Sequence, residues 1–168
     1  MSSRSFEITI LSAENLRTNK TSIKKNVFVK IQTDGNGEVR TTKVNGEGGS
    51  YPSWNEKVVM EVPLHARFIT LEVNCKATMG IKSVGIAMIP VSDIVGGFVP
   101  QNQVQFLSYR LWDSKVNRNG VINISVRVKM PEISSLLPPA INGLPAQGVP
   151  VTGKSSNAVV TGIPINWF

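Results

Sequence analysis

Through the first 130 residues, apolar side chains recur at every second position in short runs. In "SFEITIL" Phe6, Ile8 and Ile10 share one face, and in "NVFVKIQT" Val27, Val29 and Ile31 do the same. Alternation of this kind predicts strands that bury one side. "EVRTTKV" follows the turn "DGNG", and "WNEKVVMEV", "FITLEVNC", "VGIAMIPV", "VQFLSYRLW" and "GVINISVRVKM" come after it, separated by polar or glycine-bearing turns. Eight short strands and no sustained helical period predict an all-β fold, an eight-stranded antiparallel β-sandwich. Only "SDI", at 92–94, suggests a helical turn. Loops of a sandwich gather at its two ends, so the segments joining strands one and two and strands five and six are expected side by side.

The pattern stops near Met130. The segment 131–168 holds six of the 10 prolines and one residue of each charge, Lys154 and Glu132. Residues so interrupted by Pro and Gly sustain neither ladder nor helix. The expected organisation is a folded domain over 1–130 and a Pro/Gly-rich, extended and mostly disordered tail over 131–168. Ile163, Ile165, Trp167 and Phe168 make the end of that tail apolar, and they are expected to dock on the domain or on a protein partner.

Charge changes the picture more than size does. The 168 residues carry a formal net charge of +7, which favours anionic partners. "LRTNKTSIKKNVFVKI", between the first two strands, has Arg17, Lys20, Lys24 and Lys25 and no carboxylate. The single cysteine, Cys75, excludes an internal disulfide and agrees with a reducing compartment, and no apolar run approaches the roughly 18 residues of a membrane span. A cytoplasmic protein is expected, without a signal peptide.

Several strings carry a resemblance. "ITILSAENL", "VFVKI", "YPSWNEKVVMEVP", "LEV", "VGIAMIPVSDI" and "GVINISVRV" look like the successive signatures of a C2 domain over residues 4–130. In "YPSWNE", Pro52 fixes the entry turn of the fourth strand and Trp54 buries a large apolar face, a structural role. The "SAENL" opening, the basic loop and the tail with "VTGIP" resemble small plant proteins made of one such domain, among them the copine-associated group that restrains defence-linked cell death at the plasma membrane. That resemblance implies a peripheral plasma-membrane protein with a protein partner, a copine.

The superfamily's main chemistry is calcium-dependent phospholipid binding, which needs about five carboxylates from the two loops at one end. In this chain "IKKNVF" puts Asn26 where the first loop of the family has Asp, and Cys75, Ala77 and Ser83 fall where the other loop has carboxylates. No Asp or Glu occurs at positions 74–88. No metal site and no cofactor are expected. The lysines take the place of the ion: Lys20, Ile23, Lys24 and Lys25 in one loop and Lys76, Met79, Ile81 and Lys82 in the other are expected to meet an anionic phospholipid membrane, lysines at the headgroups and apolar side chains inserted. A second basic face, Lys30, Arg40 and Lys43, lies where many C2 domains bind phosphoinositides, although alternation lets only some of these share a side.

Catalysis finds little support. His65 stands alone in "VPLHARF", and neither "DGNGE" nor "NGEGGS" precedes a helix as a phosphate cradle would. Nucleic-acid binding is not expected, since the loop tips lack aromatics that stack on bases. The expected function is a non-enzymatic, calcium-independent membrane-binding and adaptor module; the alternatives are a calcium-dependent phospholipid binder and an adaptor that binds protein alone.

Overall fold

Burial follows the alternation. Phe6, Ile8 and Ile10 on one strand and Val27, Val29 and Ile31 on another are each at most 1% exposed, and all six enter one core. The computed structural model describes residues 2–18, 21–23, 26–34, 37–96 and 102–129. Its strands are β1 (Ser3–Glu14), β2 (Arg17–Thr18), β3 (Thr21–Ser22), β4 (Val27–Thr33), β5 (Val39–Thr41), β6 (Ser53–Pro63), β7 (Phe68–Ala77), β8 (Gly80–Pro90), β9 (Gln105–Trp112) and β10 (Arg118–Lys129). The helical turn expected at 92–94 is α1 (Val91–Val95), which buries Val91 and Ile94. The tail calls at Ile163, Ile165, Trp167 and Phe168, and the loop calls at Lys20, Lys24 and Lys25, lie outside the described residues.

The eight longer strands match the eight expected runs and form one antiparallel sheet in the order β5-β4-β7-β8-β9-β10-β1-β6. It divides in the middle: β8 and β9 share a single partner pair, Ile86 with Trp112. Gly85 makes that junction possible, because a Cβ there would stand 2.9 Å from the Leu111 Cβ. The two four-stranded layers then fold onto each other. At their far edges Trp54 Nε1 on β6 donates to the Val27 carbonyl on β4 at 3.1 Å, and the Lys43 N–H donates to Glu56 Oε1 at 2.8 Å. Trp54 packs half-buried on the core, as its motif implied.

The alternation is interrupted where strands approach the loop end. A bulge in β1 between Ile10 and Ser12 shifts the buried phase, so that Ala13 and then Leu16 point inward. The pair β2–β3, which period-2 reading did not anticipate, is a two-residue ladder over this end.

Replacing Trp54 by Phe keeps the ring and deletes the bond to Val27. The expected loss in chemical denaturation is about 1 kcal/mol for Trp54→Phe and about 3 kcal/mol or more for Trp54→Ala.

Candidate functional site

The segment 74–83, expected as a loop, is a continuation of the sheet. β7 and β8 remain paired out to Ala77 and Gly80, and only residues 78 and 79 form the turn. Gly80 takes φ +122 in open space, a conformation that L side chains rarely adopt, and so closes the hairpin tightly. At the tip Met79 is 95% and Ile81 62% exposed. Lys76 stands opposite Ile81 and Lys82 opposite Cys75. Because side chains directly opposite share a face, the two lysines lie on opposite sides of the hairpin. Lys76 Nζ also stands 5.9 Å from the Phe28 ring centroid.

The first basic segment does meet this hairpin. Asn26, in the left-handed region at φ 66, turns the chain into β4, and its carbonyl accepts from the Lys76 N–H at 2.9 Å. One expected contact residue is corrected here. Ile23 is 5% exposed and belongs to the core, beside the fully buried Leu16. Its N–H donates to Ser50 Oγ at 3.0 Å, and the Leu16 N–H donates to the Ser50 carbonyl at 3.0 Å. Leu16 and Ile23 are thereby held inward over the end of the sandwich, so Ile23 is not available to insert into a membrane.

Lys30, Arg40 and Lys43 are not gathered on one face. Arg40 stands opposite Ile31 and Lys30 opposite Thr41, so Arg40 is on the core-facing side at the sheet edge and Lys30 on the outer side. Lys30 pairs with Glu72 at 3.1 Å and Arg40 with Glu38 at 3.1 Å. Lys43 is exposed and forms no ion pair among the described residues.

Sequence reading missed a third element at the same end, the turn between β9 and β10. Asp113 Oδ1 accepts the N–H groups of Lys115 and Asn117, each at 2.9 Å. These bonds, that from Asn117 first, hold its carboxyl below the usual carboxylate range. Val116, at the tip, is 74% exposed. Arg118 lies against the Trp112 ring at 5.9 Å, and Arg17 arrives from β2. The only signal in the sequence is the string "WDSKVNRNG", whose Asp and Asn mark a turn without saying which loops it joins. Arg17, Lys76, Lys82, Lys115 and Arg118 thus share this end, and none has an ion-pair partner among the described residues.

Chemistry of other kinds is not assembled. Among the described residues no three His, Cys, Asp or Glu side chains come together as metal ligands. His65 lies in an exposed turn. Cys75 is partly buried, and that burial pushes its thiol pKa up, away from a reactive thiolate.

The family model of the C2 domain matches residues 4–111. The chain is 42% identical over 131 residues to BON1-associated protein 2 of Arabidopsis thaliana, an alignment covering 75% of this chain and 62% of that protein. It therefore spans about six-tenths of that relative's length. Among solved structures, a C2 domain of plant Extended Synaptotagmin 1 superposes with a TM-score of 0.63 at 16% identity, covering 77% of this chain and 97% of that one. A C2 domain-containing protein from a putative elicitor-responsive gene gives 0.63 at 19% identity, over 80% and 97%. These two likenesses show the fold alone.

The loop end is held by Asn119, which is 8% exposed. Its Oδ1 accepts the Arg17 N–H at 2.9 Å, and its Nδ2 donates to the carbonyls of Arg17 at 2.8 Å and Val84 at 2.7 Å. Asn119→Ala leaves these backbone groups without a partner, and a loss of about 2–4 kcal/mol is expected in urea unfolding.

Proposed function

The chain belongs to the C2 domain family, and on that premise we propose that it is a non-enzymatic adaptor that docks on anionic membranes through the loop end, without calcium, and recruits a protein partner there. The observation that carries the reading is the β7–β8 tip: Met79 and Ile81 are exposed in water between two exposed lysines, Lys76 and Lys82. Apolar tips among cations suit a headgroup layer, where each lysine contributes about 1 kcal/mol of attraction. Asn26 and the carboxylate-free stretch 74–88 support calcium independence, because a divalent cation would meet this positive field with few hard oxygen ligands.

Membrane attachment on this reading is peripheral, on the cytoplasmic side of the plasma membrane; no helix of the described residues is long and apolar enough to cross one. Lys20, Lys24 and Lys25 would add to the basic rim. The partner surface is the tail end with Ile163, Ile165, Trp167 and Phe168. A relative named for its association with BON1 supports a protein partner. The plant group that the sequence resembles points to a copine, and to a part in defence-linked cell death.

Sedimentation with phosphatidylserine vesicles tests the membrane step. Binding is expected to survive a chelator and to weaken with salt. The double variant Lys76→Glu and Lys82→Glu is expected to bind at least about tenfold more weakly, and Met79→Asp also more weakly. Binding that requires calcium would favour the calcium-dependent alternative. Variants that bind as well as the unaltered chain would remove the hairpin from the mechanism.

For the partner step, deleting residues 131–168 is expected to abolish recovery of the protein partner while leaving vesicle binding in place. Loss of both together would mean that the segment supports the domain instead.

A further inference from the structure

Where the two layers part, the outer side of the seam is apolar. On β9 Leu107, Tyr109 and Leu111 pack on the core, so the alternate positions Phe106, Ser108, Arg110 and Trp112 turn outward. On β8 Ile86 and Met88 turn outward between the buried Ala87 and Ile89. Ile86 stands opposite Trp112, and Trp112 stands opposite Arg118 of β10, so the outward side chains of three strands meet in one strip. Ile86, Met88, Phe106 and Trp112 are each 38–56% exposed. Phe106 and Trp112 lie six positions apart on β9, about 20 Å at strand rise. The strip is also fixed in advance. α1 follows β8 directly and is tied to β9 by two bonds: Gln105 Nε2 donates to the Ile94 carbonyl at 3.0 Å, and the Tyr109 hydroxyl donates to Asp93 Oδ2 at 3.1 Å.

Two charges sit in this strip unanswered. Arg110 is half-buried, two positions from Trp112 on the same face, and its guanidinium has no hydrogen bond or ion pair among the described residues. Arg118 lies 5.9 Å from the Trp112 ring centroid and has no carboxylate partner among them. A cation partly withdrawn from water and left unpaired is one that a carboxylate can stabilise. The strip holds arginines where the hairpin tip holds lysines. Aromatic residues, Met and Arg are the types enriched where proteins meet, and a guanidinium matches a carboxylate with two parallel bonds, as an ammonium does not.

The same charges select the occupant. A second copy, meeting this strip about a two-fold axis, would set the arginines against their own likeness. The segment 131–168 has a single acidic residue, Glu132, three positions beyond the end of β10, whereas Arg118 begins that strand. We propose that the strip docks an acidic amphipathic segment of a partner protein, about six or more residues long if extended, whose apolar side chains cover Ile86, Met88, Phe106 and Trp112 and whose carboxylates pair with Arg110 and Arg118. This surface belongs to the folded domain. It adds a contact to the one assigned to the tail and rests neither on the tail nor on the membrane step.

Anisotropy of a labelled synthetic peptide of repeated Glu-Leu-Phe units, titrated with the full chain, tests the surface; the same peptide with Gln for every Glu is its control. The acidic peptide is expected to bind. Replacing its Glu by Gln, or Arg110→Gln in the protein, is expected to weaken binding at least about tenfold, the scale of a charge-assisted bond. Phe106→Ser removes an aromatic anchor without changing charge and is expected to weaken it about tenfold as well. Arg4→Gln removes an exposed charge elsewhere and is expected to change it less than about twofold. Each variant is checked for folding by circular dichroism. No binding of the acidic peptide, equal binding of its Gln counterpart, equal loss in Arg4→Gln, or no loss in Phe106→Ser would overturn the proposal; the last would mean that the peptide is held by the loop-end cations alone.

The other occupants have their own readouts. If Arg110→Gln and Phe106→Ser weaken binding to phosphatidylserine vesicles as much as binding to the peptide, the strip meets lipid. A dimer of the full chain in sedimentation velocity that Phe106→Ser dissociates would assign the strip to a second copy. Peptide binding tightened about tenfold by Trp167→Ser with Phe168→Ser would assign it to the chain's own tail. Any of the three overturns the proposal, and vesicle binding unchanged in both strip variants supports it. Failure of the unaltered chain to bind vesicles would count against the membrane reading and leave the peptide result intact.

Discussion

Everything in this molecule depends on two strand layers closing their apolar faces over one core. The closure is made at two edges by different means. At one, β8 and β9 are joined only by Ile86 and Trp112, where Gly85 leaves room for Leu111. At the other, Trp54 reaches across from β6 to the Val27 carbonyl. Inner faces so filled are unavailable for binding, which confines function to outer faces, edges and loop ends. The same constraint explains Ile23. An apolar residue beside the open end of a core is drawn in when its backbone can be held there, and Ser50 accepts the Ile23 N–H as well as that of neighbouring Leu16.

The fold also sorts the net charge. On the strands, Lys30 meets Glu72 and Arg40 meets Glu38, while Lys57, Arg127 and Lys129 converge on Glu7. The hydrogen bond from Arg127 leads in lowering the Glu7 pKa. The exposed pair of Arg40 and Glu38 contributes little to stability, but all these pairs cancel the local field. At the loop end Arg17, Lys76, Lys82, Lys115 and Arg118 keep theirs. A basic chain becomes a polar object whose positive end also carries the two most exposed large apolar side chains among the described residues, Met79 and Val116.

Local sequence determined a good deal. Period-2 alternation fixed which residues of β1, β4, β7 and β10 face the core, since side-chain direction in a strand follows from backbone geometry alone. The turn residues placed the strand ends closely enough to read eight strands, and the absence of carboxylates at 74–88 was visible without any coordinates. Tertiary structure decided the rest, because it brings together residues far apart in the chain. Whether 74–83 is a loop or a hairpin depended on Asn74 through Ala77 finding partners in β8. Ile23 and Met79 are both apolar residues among lysines, and only the packing of Leu16 and Ser50 separates the buried one from the exposed one. The meeting of Arg17 and Arg118 at the loop end could not be read locally, since they come together only when Asn119 binds the backbone of a strand 102 positions away.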